Sequence, residues 1–343
     1  MEYLVGKEQD FYDFLAGINK KDKVAIISHI DLDGIASAIF LQEILKSKKI
    51  KVQSFNFFNY GNGMFTRLLK KFKNKKITKV FVSDLNEDSD YENFEKLKSN
   101  FDVFLIDHHP SEGRTKNNVL KTKTDHCAAW IIYNLGKSIT DFEKWKNLVC
   151  ATMIAEFSFK DENNFNFLKE NFPGLTRENL NESEPGKLSN KISSGITFFK
   201  GKEKKVFDLI LKNKIKKFDK YQKIVEDEIK ETIEEFKKKA EFYPDKNLYF
   251  YYGNPKFSLT SAVTTILSME TNDKTFIFVS DIKDDKKFVK VSARNQSGSV
   301  NLNELMKKGI EGLENATAGG HIMASAARFL KKDLEKFKKN ILS

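Results

Sequence analysis

Cysteine and proline are both scarce in this chain. Cys127 and Cys150 are the only cysteines among 343 residues, and both sit among apolar neighbours. Two thiols cannot form a disulfide framework for a chain of this size, so a reducing, cytoplasmic setting is expected. With five prolines, 40% hydrophobic and 31% charged residues, the composition excludes a disordered or low-complexity chain. No apolar run approaches the roughly 18 residues that a membrane span requires, which excludes a membrane partner of that kind. The start, Met1-Glu2-Tyr3-Leu4-Val5-Gly6-Lys7-Glu8, lacks a basic stretch leading into an apolar one, so no export signal is expected.

Positive charge is what the chain has in excess. Lys plus Arg number 59 against 48 Asp plus Glu, a net charge of +11, which points to a polyanionic partner with nucleic acid first in line. Residues 66–79 hold seven basic side chains and no acidic one, and residues 200–217 hold eight lysines against Glu203 and Asp208. Such runs are usually solvated helix faces, and here they add support for an anion-facing surface.

At roughly 150 residues per domain, the length predicts two domains. From residue 22 to 110, short β-branched runs alternate with helical periodicity, the pattern of a doubly wound parallel α/β sheet. Strands are expected at 24–28, 52–58, 77–83 and 103–106, and helices at 35–45, 65–72, 126–135 and 142–157. Residues 161–190, with Asn171-Phe172-Pro173-Gly174 and Glu184-Pro185-Gly186, read as irregular. A long amphipathic helix over 217–241 reads as the link to a smaller α/β domain, with strands at 248–252, 275–280 and 288–293 and helices near 261–269, 302–309 and 321–330. The expected division is 1–195, a helical linker 196–243, and 244–343. There is no internal repeat.

In an open α/β sheet, ligands bind beyond the carboxyl ends of the strands, and the acidic and His residues gather there. The first strand leads into His29-Ile30-Asp31-Leu32-Asp33-Gly34, the third into Asp84, and the fourth into Asp107-His108-His109. Three of the five histidines fall in these motifs. Any one of these residues alone would read as a helix cap or an ion-pair partner. As a set they need cations to offset their mutual repulsion, and mixed Asp and His ligation suits two Mn²⁺ or similar ions clamping a phosphoryl group. Asp125 is expected to cap the helix that follows it, with His126 structural. Phe55, Phe57, Phe58 and Tyr60 read as packing residues, with base stacking as the alternative.

The series His29-x-Asp31-x-Asp33-Gly34, Asp84 and Asp107-His108-His109 resembles the successive motifs of the DHH phosphoesterase superfamily. Ala318-Gly319-Gly320-His321 and Ser292-Ala293-Arg294 resemble the glycine-rich and Ser-x-Arg elements of its C-terminal DHH-associated domain. The resemblance implies that His29 and Asp31 hold one metal ion, that Asp33 and His108 hold the other, and that Asp84 bridges them. It further implies that His109 contacts the scissile phosphate and that Asp107 orients the His pair. Glu156 stands where the family has an aspartate ligand of the second ion. Arg294, Gly319, Gly320 and His321 would bind substrate, with a helix N-terminus near His321 supplying amide donors.

The function implied is that of the RecJ-like and nanoRNase branches: a two-metal phosphodiesterase that trims single-stranded DNA or RNA, or short oligonucleotides, to mononucleotides. Mn²⁺ is the expected cofactor, with Mg²⁺ or Co²⁺ as substitutes. Replication or repair proteins and a second copy of the chain are the further partners considered. The competing readings are a phosphodiesterase for cyclic dinucleotides or 3′-phosphoadenosine phosphate, and a non-catalytic replication scaffold of the same fold.

Overall fold

Val24 to Ile27 are fully buried, as expected of a β-branched run covered on both faces of a parallel sheet. The structure, a computed structural model, describes residues 1–59, 61, 63–110, 112–283 and 285–343. Tyr60 therefore lies outside the described residues. Contacts group the chain into two units, Met1–Gln222 and Lys223–Ser343.

The first unit contains β1 (Tyr3–Val5), α1 (Glu8–Ala16), β2 (Val24–His29), α2 (Leu32–Ser47), β3 (Val52–Phe58), α3 (Leu69–Lys75), β4 (Lys79–Ser83), α4 (Tyr91–Lys98), β5 (Asp102–Asp107) and β6 (Val119–Thr122). Helices α5 (Ala128–Gly136), α6 (Lys146–Ala155), α7 (Glu162–Asn171), α8 (Glu184–Phe198) and α9 (Glu203–Leu211) follow, and α10 (Phe218–Lys239) begins in this unit. The sheet order is β1-β6-β5-β4-β2-β3. All pairs from β6 to β3 are parallel, and only β1 joins antiparallel to β6. The chain runs from β2 outward to β3, then crosses back to β4 on the other side of β2. The carboxyl ends of β2 and β4 therefore form a topological switch point, where such sheets bind ligands.

The expected strands and the doubly wound class match this sheet. Residues 161–190 differ from expectation, because they contain α7 and the start of α8. The Asp161 carboxylate accepts from the Asn164 amide at 3.0 Å and the Ser183 hydroxyl from the Gly186 amide at 3.2 Å. Glu184-Pro185-Gly186 is thus the first turn of a helix capped by Ser183, whereas Pro173-Gly174 form a turn after α7, as expected. The stretch expected as a linker, 196–243, contributes to both cores. Val206, Phe207, Ile210 and Phe218 belong to the first core, whereas Phe236 packs on Tyr251, Phe276 and Phe278 of the second unit.

The second unit comprises the rest of α10, β7 (Glu241–Tyr243), β8 (Leu248–Tyr252), α11 (Thr260–Glu270), β9 (Thr275–Ile282), β10 (Asp285–Arg294), α12 (Leu302–Gly309), β11 (Thr317–Gly320), β12 (Ala324–Leu330) and α13 (Leu334–Leu342). Its six strands are ordered β11-β12-β10-β9-β8-β7. The helix expected at 321–330 is instead β12, which pairs antiparallel with β10 along its whole length. Ser325, Ala327 and Phe329 face inward and Ala326 outward, a period of two.

Candidate metal centre

The site follows from strand register. Ser28 pairs with Ser83, and Ser83 with Ile106, so His29, Asp84 and Asp107, each one residue further on, reach the same rim. Ser28 fastens this rim by donating its hydroxyl to the Gly34 carbonyl at 2.7 Å, with the Ser83 hydroxyl 2.8 Å away. Asp31 is the N-cap of α2, and its carboxylate accepts from the Gly34 amide at 3.0 Å. A Cβ on Gly34 would lie 2.3 Å from the His29 carbonyl oxygen, so only glycine lets the helix start this close to the strand end. Asp84 holds a left-handed φ of 56°, a strained conformation of the kind that gathers at functional sites.

These turns bring the side chains together. His29 Nδ1 lies 2.6 Å from Asp31 Oδ2 and 3.6 Å from Asp84 Oδ2. On the other side of the same carboxylate, Asp84 Oδ1 lies 3.4 Å from His108 Nε2 and 4.0 Å from His109 Nδ1. His108 Nε2 is also 3.7 Å from Asp33 Oδ2. Among the described residues, two groups have ligand atoms within 4.8 Å of one another: His29, Asp31 and Asp84, and Asp84, His108 and His109. Asp84 belongs to both. Its Oδ2 and His108 Nδ1 are buried with no hydrogen-bond partner among the described residues.

Asp33 is fully buried, and both its oxygens accept from the first amides of α5, Ala128 at 2.8 Å and Ala129 at 2.7 Å. The expected cap of that helix by Asp125 is therefore corrected: Asp33 takes those amides, and a carboxylate suits the positive end of the helix. Glu156 follows the last residue of α6. It is partly buried, not an exposed helix end.

The electrostatics show a centre overloaded with negative charge. Burial, aided by Asp31, pushes the Asp84 carboxyl up to about 7. Burial, with Asp31 and Asp33 nearby, pushes Glu156 up to about 8, which places its carboxyl in the field of the cluster. Asp33 is raised well above the usual range, again first by burial. Burial pulls His29 and His108 down, but Asp31 and Asp84 carry His29 up to about 11, and Asp84 and Asp33 carry His108 up to about 10. Burial and mutual repulsion thus make these groups hold protons, and a donor set of this kind fits divalent ions taking mixed carboxylate and imidazole ligands. Asp107, despite its burial, is held down to about 2 by its bond to His109, whose Nδ1 lies 2.8 Å from Asp107 Oδ1.

The remaining expected residues lie in the second unit. Arg294 ends β10 opposite Ala324 of β12, and Ser325, the next residue, pairs with Gly320 of β11. Its guanidinium donates to the Ser261 hydroxyl at 2.9 Å and to Thr265 Oγ1 at 3.2 Å. His321 does not open a helix, as expected, but lies in the β11–β12 hairpin, donating its amide to the Ala324 carbonyl at 2.7 Å. Gly320 has φ 149°, and a Cβ there would sit 2.4 Å from the Ala324 oxygen, so this glycine serves the tight hairpin. Space around Gly319 is open.

The basic runs are partly consumed within the fold. Lys71 donates to Asn56 at 2.7 Å, Lys79 pairs with Asp102, and Lys204 pairs with Asp208. Phe55 and Phe57 pack on Phe207, as expected of packing residues. Lys121 and Glu87, which are fully buried beside Asp107, are not among the residues the motifs point to. A lysine between Leu120 and Thr122 carries no sequence signal of burial.

Fold and site together define a doubly wound α/β domain with a carboxylate–imidazole cluster at its switch point. Residues 23–163 match the DHH family, N-terminal domain. No curated protein matches it in sequence. Among solved structures, RecJ in complex with Mn²⁺ from Thermus thermophilus superposes with a TM-score of 0.73 at 13% identity, covering 97% of this chain and 53% of that one. The chain thus spans about half the length of that RecJ. An exonuclease RecJ bound to manganese gives 0.72 at 14% identity, covering 97% and 92%. CDC45 from Entamoeba histolytica gives 0.58 at 12%, covering 97% of each chain. These likenesses establish the shared fold. No described helix is long and apolar enough to cross a membrane.

Proposed function

We propose that this protein is a divalent-cation-dependent phosphodiesterase that removes mononucleotides from single-stranded nucleic acid or short oligonucleotides. The observation that carries this reading is the position of Asp84, whose two oxygens face two groups of donors, His29 with Asp31 and His108 with His109. His29 and Asp31 would hold one cation, Asp33, His108 and Glu156 the other, and Asp84 both. Mn²⁺ is the first choice, because this donor set is mixed in carboxylate and imidazole, and Mg²⁺ and Co²⁺ are substitutes. When bound, such a pair supplies Lewis acidity to phosphoryl oxygens and a readily deprotonated water.

The protein's own part is positioning. Asp107, fully buried, holds the His109 ring through Nδ1, which orients that imidazole for contact with the scissile phosphate. Arg294 would offer a planar guanidinium to a substrate phosphate, and the open backbone at Gly319, with Gly320 and His321 beside it, allows close approach of the chain to an anion. RecJ structures described with Mn²⁺ support the choice of metal and substrate class. The scaffold reading has one feature in its favour, Glu156 in the place of an aspartate.

The test is a product ladder from end-labelled single-stranded RNA and DNA, two to about twenty nucleotides long, which brackets the ~4–16 nucleotide footprints of single-strand grooves. Mononucleotide release in Mn²⁺, lost on chelation, is the expected result. Intact oligonucleotides alongside cleaved cyclic dinucleotide or 3′-phosphoadenosine phosphate would replace the substrate class, and intact substrate throughout would leave the scaffold.

A further inference from the structure

Lys121 is 1% exposed, an unusual place for an ammonium. Taking it out of water costs several kcal/mol unless charges of opposite sign meet it closely. Two do. Its Nζ lies 2.6 Å from Glu87 Oε2 and 3.1 Å from Asp107 Oδ2, and both carboxylates are fully buried. The backbone arranges this, because Lys121 of β6 is the register partner of Asp107 at the end of β5. Glu87 arrives from the segment just after β4, three residues beyond Asp84.

The ammonium therefore joins two segments that carry cluster residues. One bears Asp84 and Glu87, the other Asp107, His108 and His109. Asp107 divides its oxygens between them: Oδ2 accepts from Lys121 and, at 3.2 Å, from the His109 amide, while Oδ1 faces His109 Nδ1 at 2.8 Å. With Oδ2 engaged by Lys121, Oδ1 is left aimed at the imidazole, and this selects the ring tautomer with hydrogen on Nδ1.

We propose that Lys121, anchored by Glu87, is a positioning residue that fixes the Asp107 carboxylate and through it the ring orientation and tautomer of His109. This rests on the phosphodiesterase reading for its effect on turnover, but its structural content is independent of activity.

Lys121→Met alone leaves Glu87 and Asp107 as two buried carboxylates without their cation, and is expected to fold poorly. The double variant Glu87→Gln with Lys121→Met removes the ammonium together with one of its two carboxylates and leaves Asp107 the amide and imidazole of His109 as partners, and is expected to fold with nearly wild-type circular dichroism. Two readouts then decide. In metal-free wild-type protein, the ¹H–¹⁵N spectrum of labelled histidine should show a downfield Nδ1–H signal for His109, and its absence would overturn the proposal whatever the variants do. In the double variant that signal should be lost or broadened, and kcat on an oligonucleotide should fall about 10- to 100-fold with KM little changed. A folded double variant with the wild-type imidazole signal and kcat would overturn it, leaving Lys121 only a structural role. If wild-type protein cleaves nothing, the phosphodiesterase reading has failed, and the imidazole signal still decides the positioning claim.

Discussion

Asp84→Asn is expected to abolish hydrolysis while leaving the metal-free protein no less stable at pH 8. Asn keeps the volume of Asp and tolerates the left-handed φ that Asp84 adopts, so the backbone has no reason to move. What is lost is the charge that both donor groups share. Removing a single preorganised transition-state contact typically costs ~10²–10³ in rate, and a carboxylate serving both groups should cost at least that. Stability should move the other way or stay level, because burial beside Asp31 disfavours the ionised carboxyl. Single-turnover rates and thermal melts in chelator check both halves. A variant that is inactive because it has unfolded would not support this account.

The second large effect concerns pH and metal together. Asp84 and Glu156 titrate near their ordinary values of 3.8 and 4.5 when unfolded, but at about 7 and about 8 in the fold. Between these values the native protein holds protons that the unfolded chain has released, so stability falls as pH rises. His29 and His108 rise from 6.5 to about 11 and about 10. Their contribution is full below 6.5 and is lost towards pH 11 for His29 and pH 10 for His108, which has the same sign. Asp31 and Asp107, held down to about 2, act oppositely, but only below about 4. Metal-free protein should therefore melt higher at pH 5 than at pH 8. Saturating Mn²⁺ at pH 8 should reverse this: binding at a hundredfold excess over Kd is worth about 2.7 kcal/mol, or roughly 5–10 °C for a domain of this size. A metal-free protein that melts higher at pH 8 than at pH 5 would contradict this charge balance.

The parallel sheet and the main cluster were legible because their signals are local. Val24 to Ile27 are an unbroken apolar run, and strand-end motifs must lie on one rim once the strands are parallel. Where small or polar residues dominate, legibility fails. Ala324 to Ala327 look helical by composition, but pairing with β10 makes them a strand, a case of tertiary context overriding propensity. Asp161 and Ser183 look like loop residues in the sequence because caps and turns favour the same side chains. Long-range charge was also invisible. That Asp33 would receive the amides of α5, or that Lys121 would sit buried between Glu87 and Asp107, depends on elements far apart in sequence.

The most direct test of the central claim is a calorimetric Mn²⁺ titration of chelator-treated protein beside its Asp84→Asn variant. The account predicts two ions per chain for the wild type, since two donor groups share one carboxylate, and a loss of both tight binding events in the variant. Wild-type protein that binds no Mn²⁺, or a variant that binds it equally well, would contradict it.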